Sequence, residues 1–127
     1  MDSQTKALLA ARAALEKQAE HVVVMDLRAL SDVADFFIIC TAASPPQRDA
    51  IREHIERTLR QQGCPVWHVE GTQASTVRGT ASFHQPQWVL MDCGDFVIHL
   101  MDQPTRDFYR LEELWADAPR IPHGHPD

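Results

Sequence analysis

Trp88-Val89-Leu90-Met91-Asp92-Cys93-Gly94-Asp95-Phe96-Val97-Ile98-His99-Leu100-Met101 is the stretch that decides the fold. Two apolar runs flank a short link at Cys93-Gly94, and a link that short returns the second run against the first as an antiparallel hairpin. Upstream, Val22-Val23-Val24-Met25 shows no polar alternation, the pattern of a strand buried on both faces, and Phe36-Phe37-Ile38-Ile39-Cys40 reads as a second buried run. Separated by a turn through Ser31 and Asp32, they predict two neighbouring buried strands of the same sheet. Val66-Trp67-His68-Val69 predicts a shorter one.

The covering helices are legible on either side of these runs. Residues 4 to 19 carry Leu8, Ala11 and Leu15 at helical spacing, with Asp2 or Ser3 as N-cap. Ser44-Pro45-Pro46 starts a second helix, because a serine caps and a proline at the first turn loses no hydrogen bond; Gly63 ends it. Within it Ile51, Ile55 and Leu59 recur every fourth residue, while Arg52, Glu53, Glu56, Arg57 and Arg60 face water. Residues 103 to 115 predict one last helix with an apolar stripe of Phe108, Leu111, Leu114 and Trp115, stopped by Pro119 and Pro122. The order α-β-β-α-β-β-β-α describes an α/β fold with a mixed β-sheet of about five strands and helices packed on it. At 127 residues there is room for one core. We read residues 1 to 120 as the domain, 121 to 127 as a flexible C-terminal tail, and the Thr-, Ser- and Gln-rich residues 72 to 87 as a long loop.

Composition removes several function classes. Hydrophobic residues make up 44% and charged residues 24%, the balance of an ordinary globular protein, and the formal net charge is −6. A surface that grips a phosphate backbone needs clustered Lys and Arg, so no direct sequence-specific nucleic-acid binding is expected; work near RNA would pass through a protein. Cys40, Cys64 and Cys93 form no CxxC pair, which argues against a disulfide framework or a zinc knuckle and for a reducing, cytoplasmic setting. No apolar stretch approaches the ~18 residues that cross a bilayer, so no membrane partner is expected.

Candidate chemistry is thin. Asp26, Asp32, Asp35, Asp92 and Asp95 fall at strand ends or turns, where carboxylates can hold Mg²⁺ for phosphoryl or nucleotidyl transfer. The smallest nucleotidyltransferases also need a Gly-Ser turn and two acids alternating on a strand. Here the loop after the second strand reads Thr41-Ala42-Ala43-Ser44, and Asp26-Leu27-Arg28 puts an arginine where the second acid is wanted. These aspartates therefore read as turn caps. Ser31 and Ser44 precede helical or turn segments as caps do, and neither sits in a nucleophile elbow. Cys40 and His99 make a thiolate pair only if the fold brings them together. His123 and His125 could ligate a metal, but at a chain end they read as solvated. No catalytic, cofactor or metal site is expected. Trp88 heads a strand beside a polar loop with Leu90 and Met91 following, so it is either core or an interface anchor. Trp115, closing a helix stripe, has the stronger claim to the core.

Read in order, Asp26-Leu27-Arg28, then Leu30-Ser31-Asp32-Val33-Ala34-Asp35-Phe36-Phe37-Ile38-Ile39-Cys40-Thr41, resembles the opening signature of the Iojap and ribosomal silencing factor family. Ile51 to Gly63 is similar to its middle helix, Val69-Glu70-Gly71 to its glycine corner, and Trp88 to His99 to its W-h-h-h-D-x-G-D-h-h-h-H hairpin. Arg106-Asp107-Phe108-Tyr109-Arg110-Leu111-Glu112-Glu113-Leu114-Trp115 resembles its closing R-x-x-Y-x-L-E-x-L-W. The resemblance implies a fold related to nucleotidyltransferases without their catalytic residues, and a protein that is not an enzyme. It implies binding to the large ribosomal subunit through its ribosomal protein fourteen. Bound there, the protein would block joining of the small subunit and repress translation when nutrients are scarce. Trp88, Leu90, Met91, Asp92, Asp95 and Glu70 are the residues it assigns to that partner. Residues 72 to 87 are longer than the family's passage from glycine corner to hairpin, and they border the expected interface. Two alternatives stay open, a residual nucleotidyl-transfer enzyme and a self-associating structural dimer; a homodimer when free is compatible with the main reading.

Overall fold

The computed structural model describes residues 1–71 and 88–123. Five strands, β1 (Glu20–Asp26), β2 (Phe36–Thr41), β3 (His68–Gly71), β4 (Trp88–Asp92) and β5 (Phe96–Met101), form one sheet in the order β1-β2-β5-β4-β3. The β2–β5 pair is parallel and the other neighbours are antiparallel, so the sheet is mixed, as expected. β5 sits in the middle with all six residues buried, which is why its sequence lacks alternation. Phe36 faces Phe96 in register, Ile38 faces Ile98 and Cys40 faces Leu100.

Helices α1 (Ser3–Glu16) and α2 (Pro45–Gln61) cover one face of the sheet. Asp2 caps α1 by accepting the Thr5 N–H at 2.8 Å, and Ser44 caps α2 by accepting the Gln47 N–H at 3.2 Å. The buried stripe of α1 is Ala7, Ala10, Ala11 and Ala14, with Leu8 and Leu15 at its margin. The expected leucines thus flank the contact, and small side chains let the helix lie close to β1, β2 and α2. Ile51, Ile55 and Leu59 of α2 are fully buried, each contributing about 1.5–3 kcal/mol of apolar transfer.

The opposite face carries a smaller core of Met25, Leu27, Ile39, Met101 and Ala118, edged by Phe37, Trp88, Leu111 and Trp115. The single helix expected over residues 103 to 115 is two, α3 (Gln103–Tyr109) and α4 (Leu111–Leu114). Arg110 between them is left-handed, with φ 49°. That break turns Phe108 and Leu114 outward, 78% and 71% exposed, in place of the buried stripe expected of them. Arg106 holds the two pieces together: its buried guanidinium meets both Glu112 carboxylate oxygens, at 2.9 and 3.0 Å, and Thr41 Oγ1 at 2.8 Å.

After α4 the chain runs beside β1, where Ile121 donates its N–H to Val24 O and Asp26 donates to Pro119 O. His123 lies 2.7 Å from the Val22 carbonyl. The proposed tail therefore has a described part, 121–123, that lies against the sheet. The expectations for residues 72 to 87, and for 124 to 127 with His125, fall outside the described residues. The strand expected at Val66–Val69 is displaced to His68–Gly71, an exposed edge strand. Gly71, with φ 149°, ends it where any Cβ would collide with the Trp88 carbonyl oxygen.

Candidate partner-binding face

β4 decides which side chains reach the surface. Strand alternation sends Val89 and Met91 under the helices and Trp88, Leu90 and Asp92 to the other face, half-buried. Met91 is 0% exposed and has nothing to offer a partner, which corrects its place among the expected contacts. Glu70 pairs with Leu90 in register and stays exposed at the open edge, 3.5 Å from His68. Asp92 accepts the Gly94 N–H at 2.8 Å and so shapes the hairpin turn. Asp95 lies at the hairpin tip and reaches across to Lys6 of α1 at 3.1 Å, a hydrogen bond that holds the Lys6 ammonium above its ordinary pKa. Of the six expected residues, then, three share the face, Glu70 borders it and Asp95 stands at its end.

Rings complete the face. Phe108 packs on Tyr109 with centroids 5.0 Å apart, and Tyr109 on Trp88 at 4.8 Å. Trp88 lies 5.7 Å from His99, His99 4.5 Å from Phe37, and Phe37 6.0 Å from Trp115. The result is an unbroken row of rings from an exposed end at Phe108 to a packed end at Trp115. Trp88 Nε1–H donates to His99 Nδ1 at 3.1 Å. Phe37 and Tyr109 are members to which the sequence reading gave no place on a surface, and Phe108 was expected in a buried stripe. The break at Arg110 that presents Phe108 and Tyr109 carries no glycine to mark it.

Several of the residues considered for catalysis make structural contacts instead. Asp26 binds the Arg28 guanidinium at 2.7 and 3.0 Å, which keeps its carboxyl below the ordinary value. Asp35 accepts the Ser3 hydroxyl at 3.0 Å. Ser31 Oγ accepts the Val33 N–H, a turn role. Cys40 is buried and its thiol is pushed up to about 12 by desolvation. It points to the helix-covered side while His99, in register with Ile39, points to the other, so the fold does not bring that pair together. A polar cleft of about 650 Å³ beside α3 is lined by Arg106, Arg110 and Arg120 and by Asp107, Glu112 and Glu113. Opposite charges balance there, and Arg106 is taken up by Glu112.

A mixed five-stranded sheet with two helices on one face and a row of rings exposed at one end of the other defines a single-domain α/β protein with an aromatic surface. The chain belongs to the ribosomal silencing factor family: it matches the description "Ribosomal silencing factor during starvation" over residues 1–127. It is 36% identical to the ribosomal silencing factor RsfS of Halalkalibacterium halodurans, over 95% of this chain and 94% of that one. It is 35% identical to the RsfS of Bacillus subtilis, over 94% and 92%. A crystal structure from Chromobacterium violaceum superposes with a TM-score of 0.78 at 27% identity, covering 91% of this chain and 88% of that one.

Proposed function

We propose that this protein binds the large ribosomal subunit through its ribosomal protein fourteen, blocks joining of the small subunit by its bulk, and so represses translation when nutrients are limiting. Family membership supports a role in translation regulation, since relatives are named as silencing factors. The observation that carries the binding site is the aromatic row. Trp88, Tyr109 and Phe108 leave ring surface exposed beside Leu90, with Asp92 and Glu70 at the rim. Large rings ringed by acids suit a basic protein partner: the rings supply the desolvated centre and the acids the steering. Trp88, Leu90, Asp92 and Glu70 form the proposed contact set, with Tyr109 and Phe108 added. Asp95 acts by fixing the hairpin tip.

The protein acts by occupancy and not by catalysis, in the cytoplasm where ribosomes assemble; among the described residues no helix is long and apolar enough to cross a membrane. Pelleting through sucrose with separated subunits tests the proposal. Cosedimentation with large subunits alone, and slowed subunit joining, are expected. Equal binding to both subunits, or to neither, would sink it. Light scattering of the free protein tests self-association, for which the exposed edge of β3 is a suitable surface.

A further inference from the structure

β5 is apolar along its length except at His99, which lies 4% exposed between Phe37 and Trp88. The Trp88 Nε1–H is 3.1 Å from its Nδ1. An indole nitrogen only donates, so Nδ1 must be bare and the imidazole proton must sit on Nε2. There, among the described residues, Nε2 has no hydrogen-bond partner. A buried donor without a partner weakens folding, and a single bond to a half-buried indole does not clearly outweigh that loss. An apolar side chain of similar size would fill the same space without the orphaned group. Stability does not account for this histidine.

What it supplies is direction. The indole is held through its N–H on one side and by the Tyr109 ring at 4.8 Å on another, which leaves it one orientation. We propose that His99 is a positioning residue for the large-subunit face, accepting the Trp88 N–H so that the indole is set before the partner arrives, at a net loss of folding stability. The proposal rests on the function argued above. Its benefit to binding is that no rotamer of Trp88 has to be frozen on contact. Burial also pushes the His99 pKa down to about 4, which keeps the acceptor available at neutral pH.

Two substitutions separate direction from packing. His99→Leu removes the acceptor and the orphaned donor together, whereas His99→Asn keeps an oxygen near the place of Nδ1. We expect His99→Leu to melt at or above the wild-type temperature. Its Trp88 indole N–H, identified in NMR spectra by its loss in Trp88→Phe, should exchange with solvent faster. Its binding to large subunits should weaken about fivefold, one hydrogen bond's worth of roughly 1 kcal/mol at 1.4 kcal/mol per decade. His99→Asn should recover most of the binding while melting lower. A His99→Leu protein that binds as tightly as wild type overturns the proposal, as does one that loses binding only in step with its folded fraction. If the wild type itself fails to pellet with large subunits, the functional reading fails instead. Indole exchange then decides the positioning role alone: faster exchange in His99→Leu supports it, and unchanged exchange overturns it.

Discussion

The two faces of this sheet solve different problems with the same strands. Under α1 and α2, alanines and aliphatics join the Phe36 and Phe96 rings in one continuous core that takes in Ile55 and Met91. The other face sets a row of rings that includes His99 beside a smaller core of Met25, Leu27, Ile39, Met101 and Ala118, covered at the β1 end by the C-terminal segment and left open at the β4 end. β4 shows the difference within five residues: Val89 and Met91 have no surface to offer, and Trp88 and Leu90 keep theirs. Aliphatic packing gives stability that does not depend on direction, whereas rings presented to a partner must be aimed, and aiming uses polar groups that a core does better without.

The comparison breaks most visibly on the covered face. Ile55→Ala should lower stability by about 2–5 kcal/mol, read as an earlier melting transition, while the protein that remains folded pellets with large subunits normally. Lost binding by folded Ile55→Ala would mean that the two faces are not separable.

Acid should attack the aromatic face. His99 has a folded pKa of about 4 against an ordinary 6.5, so the unfolded chain binds the proton first. Its protonation therefore costs the fold nothing above pH 6.5, and stability falls as pH drops from 6.5 towards 4. At about 1.4 kcal/mol per pH unit, that interval amounts to about 3 kcal/mol. Denaturant melts of wild type and His99→Leu across this range should diverge, the wild type falling more steeply; parallel curves would contradict the buried neutral imidazole.

Trp88→Ala should cost ~2 kcal/mol of binding, roughly a thirtyfold loss in pelleting affinity, and less in stability. An early melt with normal pelleting of the folded fraction would return Trp88 to the core. Phe108→Ala sharpens the comparison at its smallest scale. At 78% exposure the side chain should leave the melting temperature nearly unchanged and weaken binding by about 1 kcal/mol, and no change in either assay would shorten the proposed face to Trp88 and Tyr109.

Much of this architecture can be read from the chain. Unbroken apolar runs announce β1 and β2, Cys93-Gly94 announces the hairpin of β4 and β5, and the four-residue recurrence of Ile51, Ile55 and Leu59 announces the buried side of α2. The helix after residue 103 misleads, because Phe108, Leu111 and Leu114 hold a helical period across an arginine that adopts a left-handed backbone. Met91 misleads for a related reason: Trp88 to Met91 is apolar throughout, so alternation between faces leaves no trace in residue type. The row of rings was out of reach because Phe37 and Tyr109 meet through His99 and Trp88 only once β2 lies parallel to β5.

That parallel pairing also governs how the chain comes together in time. β5 inserts between β2 and β4, so the first seventy residues, emerging from a translating ribosome with both helices and β2 already made, leave the inner edge of β2 without its neighbour. Non-local parallel pairing is slow, and an open apolar edge invites association with other chains in the interval. A regulator of ribosomes thus depends on one of them finishing its C-terminal third before its own central strand can close the sheet.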